Sequence, residues 1–109
     1  MFDRSQLMKG TLEGCILHII GRGPTYGYEI AGTLKAAGFS ELTEGTLYPL
    51  LLRLERKGLV CSEFRPSPSG PSRKYYSLTE AGRADCRAFA AAWREVQAAV
   101  ETICKEDAT

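Results

Sequence analysis

The 109-residue sequence predicts a mainly α fold of the α+β class: four helices with a two-stranded hairpin between the third and the last. Three observations carry this. Apolar residues recur at three- and four-residue spacing in four separate stretches, the period of a helix face. One run of proline, serine and glycine, PSPSGPS at 66–72, sits between VCSEFR and RKYYSL, which read as short strands around a loop. The final stretch carries Cys86, Phe89, Trp93, Val96, Val100 and Ile103 at alternating steps of three and four, the pattern of a coiled-coil seam.

The first helix is expected from Leu7 to about Ile20, with Met8, Leu12, Ile16, Ile19 and Ile20 at helical spacing and GRGP at 21–24 ending it. Gly10 and Gly14 lie one turn apart inside it. Each costs a helix about 1 kcal/mol relative to alanine, so a neighbouring helix or a large side chain is expected to need the room. TYGYEIAGTLKAAG predicts a second, short helix capped near Thr25, with Ile30 and Leu34 inward and Gly38 at its end.

EGTLYPLLLRLERKGLV predicts the third helix, capped by Thr43 or Thr46, with Leu47, Leu50, Leu51 and Leu54 on one face. Pro49 then falls in or just beyond the first turn, where few backbone hydrogen bonds are lost. In the second strand Tyr76 and Leu78 are expected on the core face, with Tyr75 and Ser77 on the other. LTEAG opens the last helix, which is expected to reach about Cys104 and to span roughly 30 Å. The seam either covers part of this chain's own core or pairs two subunits, and its length favours pairing. Residues 1–78 then form the winged unit and residues 79–109 a dimerisation helix and tail, the two making one compact whole.

Composition excludes several classes. With 44% hydrophobic and 25% charged residues the chain is an ordinary globular domain, not a disordered one. No long apolar run is present, so no membrane span is expected, and neither is a secretory leader; the expected location is the cytoplasm. The single histidine and four scattered cysteines, Cys15, Cys61, Cys86 and Cys104, lack the short spacing of zinc ligands, so no metal or cofactor is expected. No paired carboxylates, nucleophile motif or phosphate-cradling loop is present, so no enzyme is expected.

Net charge is only +1, but it is unevenly spread. Residues 44–76 carry six basic and three acidic side chains, while 1–43 are balanced and 77–109 carry four basic against six acidic. Three helices, a hairpin with basic residues and a polar start to the third helix describe a winged helix-turn-helix, whose third helix enters the DNA major groove. In that reading Gly45 and Thr46 keep the start of the helix slim enough for close approach to the duplex, and Thr46 and Tyr48 present hydroxyls to phosphates or base edges. The competing reading has Gly45 satisfy a turn and Tyr48 fill a gap.

LMKGTLEGCILHIIGRGPTYGYEI, EGTLYPLLLRLERKGLV and RKYYSLTEAG resemble, in order and separation, the three signature blocks of the PadR family of bacterial transcriptional regulators. With the Trp93 helix the resemblance spans Leu7 to about Cys104. It implies a homodimeric winged-helix repressor of the family's short branch, paired through the C-terminal helix, bound to inverted-repeat operator DNA and released by a small effector. It implies DNA contact by Thr46 and Tyr48, and phosphate contact by Ser72, Arg73 and Lys74 in the wing and by Lys9 on the first helix. Arg53 matches the arginine of the RLE block; it contacts DNA or braces the fold through Glu55 or another carboxylate. Gly14 and Cys15 replace larger aliphatic residues, which suggests room opposite Trp93 of a partner helix, between the subunits, for a planar apolar or aromatic ligand among Gly14, Leu17, His18, Phe89, Trp93 and Gln97. Two other readings stay open: a winged helix that docks a partner protein, and a thiol sensor built on Cys86 or Cys104.

Overall fold

A computed structural model describes residues 2–107 of the chain. The elements run α1 (Arg4–Gly21), β1 (Thr25–Tyr26), α2 (Gly27–Ala37), α3 (Glu44–Arg56), β2 (Val60–Ser67), β3 (Gly70–Leu78) and α4 (Glu80–Asp107). Helix α1 starts earlier than the apolar period suggests because Asp3 caps it, its carboxylate accepting from Ser5 N at 3.0 Å. Thr25 does not cap α2. Tyr26 holds the cap position without a side-chain bond, and the Thr25 hydroxyl instead donates to Glu29 Oε1 at 2.8 Å. Of the two candidate caps for α3, Thr43 is the one used, accepting from Thr46 N at 3.3 Å. Pro49 lies one turn beyond Gly45, so the cost is the single amide that would have met the Gly45 carbonyl.

The apolar faces of these helices meet in one core. Leu12, Ile16, Leu17 and Ile20 of α1 pack with Ile30 and Leu34 of α2, Leu47, Leu51 and Leu54 of α3, and Val60 and Tyr76 of the hairpin. Each fully buried aliphatic side chain contributes about 1.5–3 kcal/mol, so the fold stands on this cluster. Leu17, expected in a ligand pocket, is 3% exposed and belongs to the core, because it lies one residue past Ile16 on a broad apolar face.

The sheet has three strands, not two, in the order β1-β3-β2 and antiparallel throughout. Thr25 pairs with Tyr76 and Tyr26 with Tyr75, so the dipeptide before α2 covers the edge of β3 that a bare hairpin would expose. Two residues are too few to show alternation, which is why the sequence pattern misses this strand. Tyr76 is buried and Leu78 half-buried on the core side, as the alternation predicts.

Helix α4 is anchored at its start. Thr79 Oγ1 accepts from Gly82 N at 3.0 Å and donates to the Gly58 carbonyl at 2.6 Å. Further along, the Phe89 ring occupies the space where a side chain at Gly14 would be, which explains one of the two helical glycines; around Gly10 the same test finds nothing within 4 Å. The seam expected on α4 is therefore divided. Cys86 and Phe89 pack on this chain's own α1 and core, whereas Trp93, Val96, Val100 and Ile103 are 43–64% exposed. The helix runs three residues past Cys104, to Asp107. No helix among the described residues is long and apolar enough to cross a membrane.

Candidate nucleic-acid interface

The start of α3 is open to solvent. Thr43, Glu44, Gly45 and Thr46 are all exposed, and the Thr46 hydroxyl lies 3.2 Å from that of Thr43. A side chain added at Gly45 would meet only Thr43 Oγ1, at 3.7 Å, so nothing among the described residues demands glycine there. Tyr48 is both packed and exposed. Its ring lies against Gly27, where an added Cβ would stand 2.8 Å from the ring edge and 2.9 Å from the hydroxyl, yet the residue remains 47% exposed. It fills a gap between α2 and α3 and also lines an open cleft.

Between α3, the start of α2 and the wing runs an open cleft of about 720 Å³. Tyr48 and Leu52 line one wall, Ser72, Arg73, Lys74 and Tyr76 the opposite one, and Tyr26, Gly27 and Tyr28 the end. The predicted wing residues and Tyr48 are thus brought together. Tyr26, Tyr28 and Leu52 were missed; the Tyr-Gly-Tyr run was a visible signal, but only the third strand explains why it faces the wing. The Arg73 guanidinium stacks 4.5 Å from the centroid of the Tyr26 ring, which holds the cation at the mouth of the cleft. Arg65 lies in the same way over Tyr75, at 4.7 Å, but is also paired with Glu63 at 2.7 Å.

Lys74 is less free than a phosphate-binding lysine. Its ammonium lies 3.0 Å from Glu55 Oε1, while the Ser62 hydroxyl donates to Glu55 Oε2 at 2.6 Å. The hydrogen bond from Ser62, then that from Lys74, hold the Glu55 carboxyl below its ordinary range, and the bond to Glu55 pushes Lys74 up. Glu55 therefore braces the wing against α3. Arg53 is not its partner: it pairs with Glu13 of α1 at 3.4 Å, beside Lys57 at 3.7 Å from the same carboxylate. Arg53 stays 62% exposed, and Lys9 is exposed on α1; neither lines the cleft.

Within one chain the six residues expected to hold an effector between subunits do not line a single pocket. Phe89 fills the room beside Gly14, Leu17 faces the core, and Gln97 lies on the exposed part of α4, reaching Glu101 Oε1 at 3.5 Å. His18 Nε2 lies 3.2 Å from the Cys86 carbonyl, and its ring meets Phe89 edge-on at 6.1 Å. A smaller cleft of about 230 Å³ opens on another side of Phe89, between it, Thr11, Cys15, Phe39 and Trp93. Phe39 lacked any sequence signal for this, whereas Cys15 is one of the two small residues from which room was expected. Burial pushes the Cys15 and Cys86 thiols up, which disfavours the thiolate that a redox sensor needs.

The model of the transcriptional regulator PadR-like family matches residues 16–88. A transcriptional regulator from Streptococcus of known crystal structure is 46% identical, superposes with a TM-score of 0.82, and the match covers 90% of this chain and 96% of that one. The transcriptional regulator Rv3488 of Mycobacterium tuberculosis is 40% identical over 85 residues, 74% of this chain and 78% of that protein. Bacillus subtilis PadR, solved in complex with operator DNA, shares the fold at 24% identity and a TM-score of 0.65, over 72% of this chain and 45% of that one.

Proposed function

The chain belongs to the PadR-like family of transcriptional regulators, and on that premise we propose that it binds duplex operator DNA sequence-specifically as a homodimer and represses transcription until a small apolar or aromatic effector releases it. The observation that carries the reading is the pairing of an unobstructed start of α3 with a cleft whose wing wall presents Ser72 and Arg73. Thr46 and Tyr48 reach base edges or phosphates from the helix, and Arg73 meets the adjoining backbone. Lys74 contributes chiefly by fixing the wing through Glu55.

Dimerisation is supported by α4. Trp93, Val96, Val100 and Ile103 present an apolar stripe that the described residues leave about half exposed, and pairing two such stripes sets two reading heads on one duplex. Such heads engage half-sites about 34–36 Å apart, or a multiple of that, on an inverted repeat. The effector reading is supported by the cleft that Trp93 shares with Cys15, Phe39 and Phe89, whose aromatic rings suit stacking by a planar ligand. Footprinting on the DNA upstream of the protein's own gene tests the whole reading. A symmetric protected pair of half-sites is expected; binding that stays at the sequence-independent level of about 10⁻⁴ to 10⁻⁶ M defeats it.

A further inference from the structure

The last third of the chain carries net negative charge, yet its three arginines converge. Arg83, Arg87 and Arg94 fall at steps of four and seven on one side of α4, next to the apolar stripe. They line, with Arg22 and His18 from the end of α1, a groove of about 550 Å³ whose floor is Leu78, Cys86 and Ala90. The lining contains no aspartate or glutamate. Among the described residues none of the four guanidinium groups has a carboxylate within 4.0 Å, whereas Arg4, Arg53, Arg65, Lys57 and Lys74 are all paired.

Like charges one turn apart repel on a helix, so Arg83 and Arg87 oppose folding slightly and are relieved by an anion between them. Guanidinium groups are weakly hydrated and grip oxyanions with two parallel hydrogen bonds, and several around one concavity suit a ligand of several negative charges. The groove has the volume of a small-molecule site and shares no residue with the α3–wing cleft, which favours a free molecule over the DNA backbone as its ligand.

We propose that the groove between the end of α1 and the first half of α4 binds a small, multiply charged oxyanion, held by Arg22, Arg83, Arg87 and Arg94. It lies where α4 leaves the reading unit, beside the contact of His18 with the Cys86 carbonyl, so an occupant bears on the angle of the dimer helix.

Calorimetric titration with inorganic pyrophosphate in low-salt buffer tests this directly. Saturable binding of one pyrophosphate per chain is expected, weakened at least about tenfold in Arg83→Ala/Arg87→Ala and several-fold in Arg87→Lys, which keeps the charge but loses the fork. Lys35→Ala, which removes a cation from the exposed side of α2, leaves it unchanged. Absence of binding at millimolar pyrophosphate overturns the proposal, as does equal weakening by Lys35→Ala, which signals diffuse charge only. The salt dependence of DNA affinity separates this site from the interface above: it is expected to be the same in wild type and Arg83→Ala/Arg87→Ala. A slope lower by about two in the variant reassigns the arginines to DNA phosphates and overturns the proposal. Pyrophosphate binding is read without DNA, so it stands or falls separately from the operator reading.

Discussion

Lys74 Nζ lies 3.0 Å from Glu55 Oε1, and through that contact the wing is tied to the last turns of the helix expected to read DNA. The cation is partly neutralised before any phosphate arrives. Arg73, which has an aromatic ring beneath it and no carboxylate partner among the described residues, is the freer charge. Arg73→Ala is therefore expected to flatten the plot of log K against log salt by about 0.9 for its single phosphate, and Lys74→Ala by clearly less. Titrations of operator DNA at four salt concentrations check the order. Equal slopes for the two variants remove the distinction.

The same pair makes stability depend on acid. Because Ser62 and Lys74 hold the Glu55 carboxyl below its ordinary value of 4.5, its contribution is fully present above that pH and is lost as pH falls through the lowered folded value. Glu55→Gln is expected to be less stable than wild type at neutral pH, with the gap closing as the carboxyl protonates. Thermal unfolding from pH 7 to pH 3 measures it; a gap that persists unchanged at pH 3 assigns the loss to packing.

Gly14 and Gly10 separate by their surroundings. Gly14→Ala drives a methyl group into the Phe89 ring and is expected to cost about 1–3 kcal/mol, as overpacking does. Gly10→Ala meets no atom within 4 Å and is expected to gain about 0.5–1 kcal/mol from helix propensity. Urea unfolding of both variants gives the comparison, and a stabilised Gly14→Ala would show that α4 shifts freely over α1.

At Gly45 stability and binding are expected to part company. Gly45→Ala introduces a methyl group whose nearest neighbour is 3.7 Å away, so the free protein should be unharmed, while affinity for operator DNA falls if the duplex backbone approaches there. A fall of about tenfold or more, with an unchanged unfolding midpoint, is the expected pair of results. Unchanged affinity would return Gly45 to a turn-forming role.

Val100 lies on the exposed stripe of α4 and touches none of the core. Val100→Asp is expected to leave the fold intact and convert the protein to monomers, observable by sedimentation, with loss of operator binding. A variant that sediments like wild type removes this stripe from the subunit contact.

Much of the molecule was legible in one dimension. Helical spacing located all four helices, the Pro/Ser/Gly run located the wing tip, and the motifs at 44–60 and 73–82 identified the family because these elements are set by local period and turn chemistry. What each side chain touches was not legible. Strand β1 is two residues long and exists only because β3 offers an edge, and Lys74 meets Glu55 because the wing packs beside the end of α3. Phe89, read from its spacing as part of an intersubunit seam, turns out to fill the space left by Gly14. The arginines of α4 were hidden in a segment of net negative charge, since counting charge along a chain averages over helix faces that packing sends in different directions. The sequence by itself determined the elements, their order and the family; tertiary packing alone decided which cations are paired and which cavities are filled, because those depend on contacts between residues far apart in the chain.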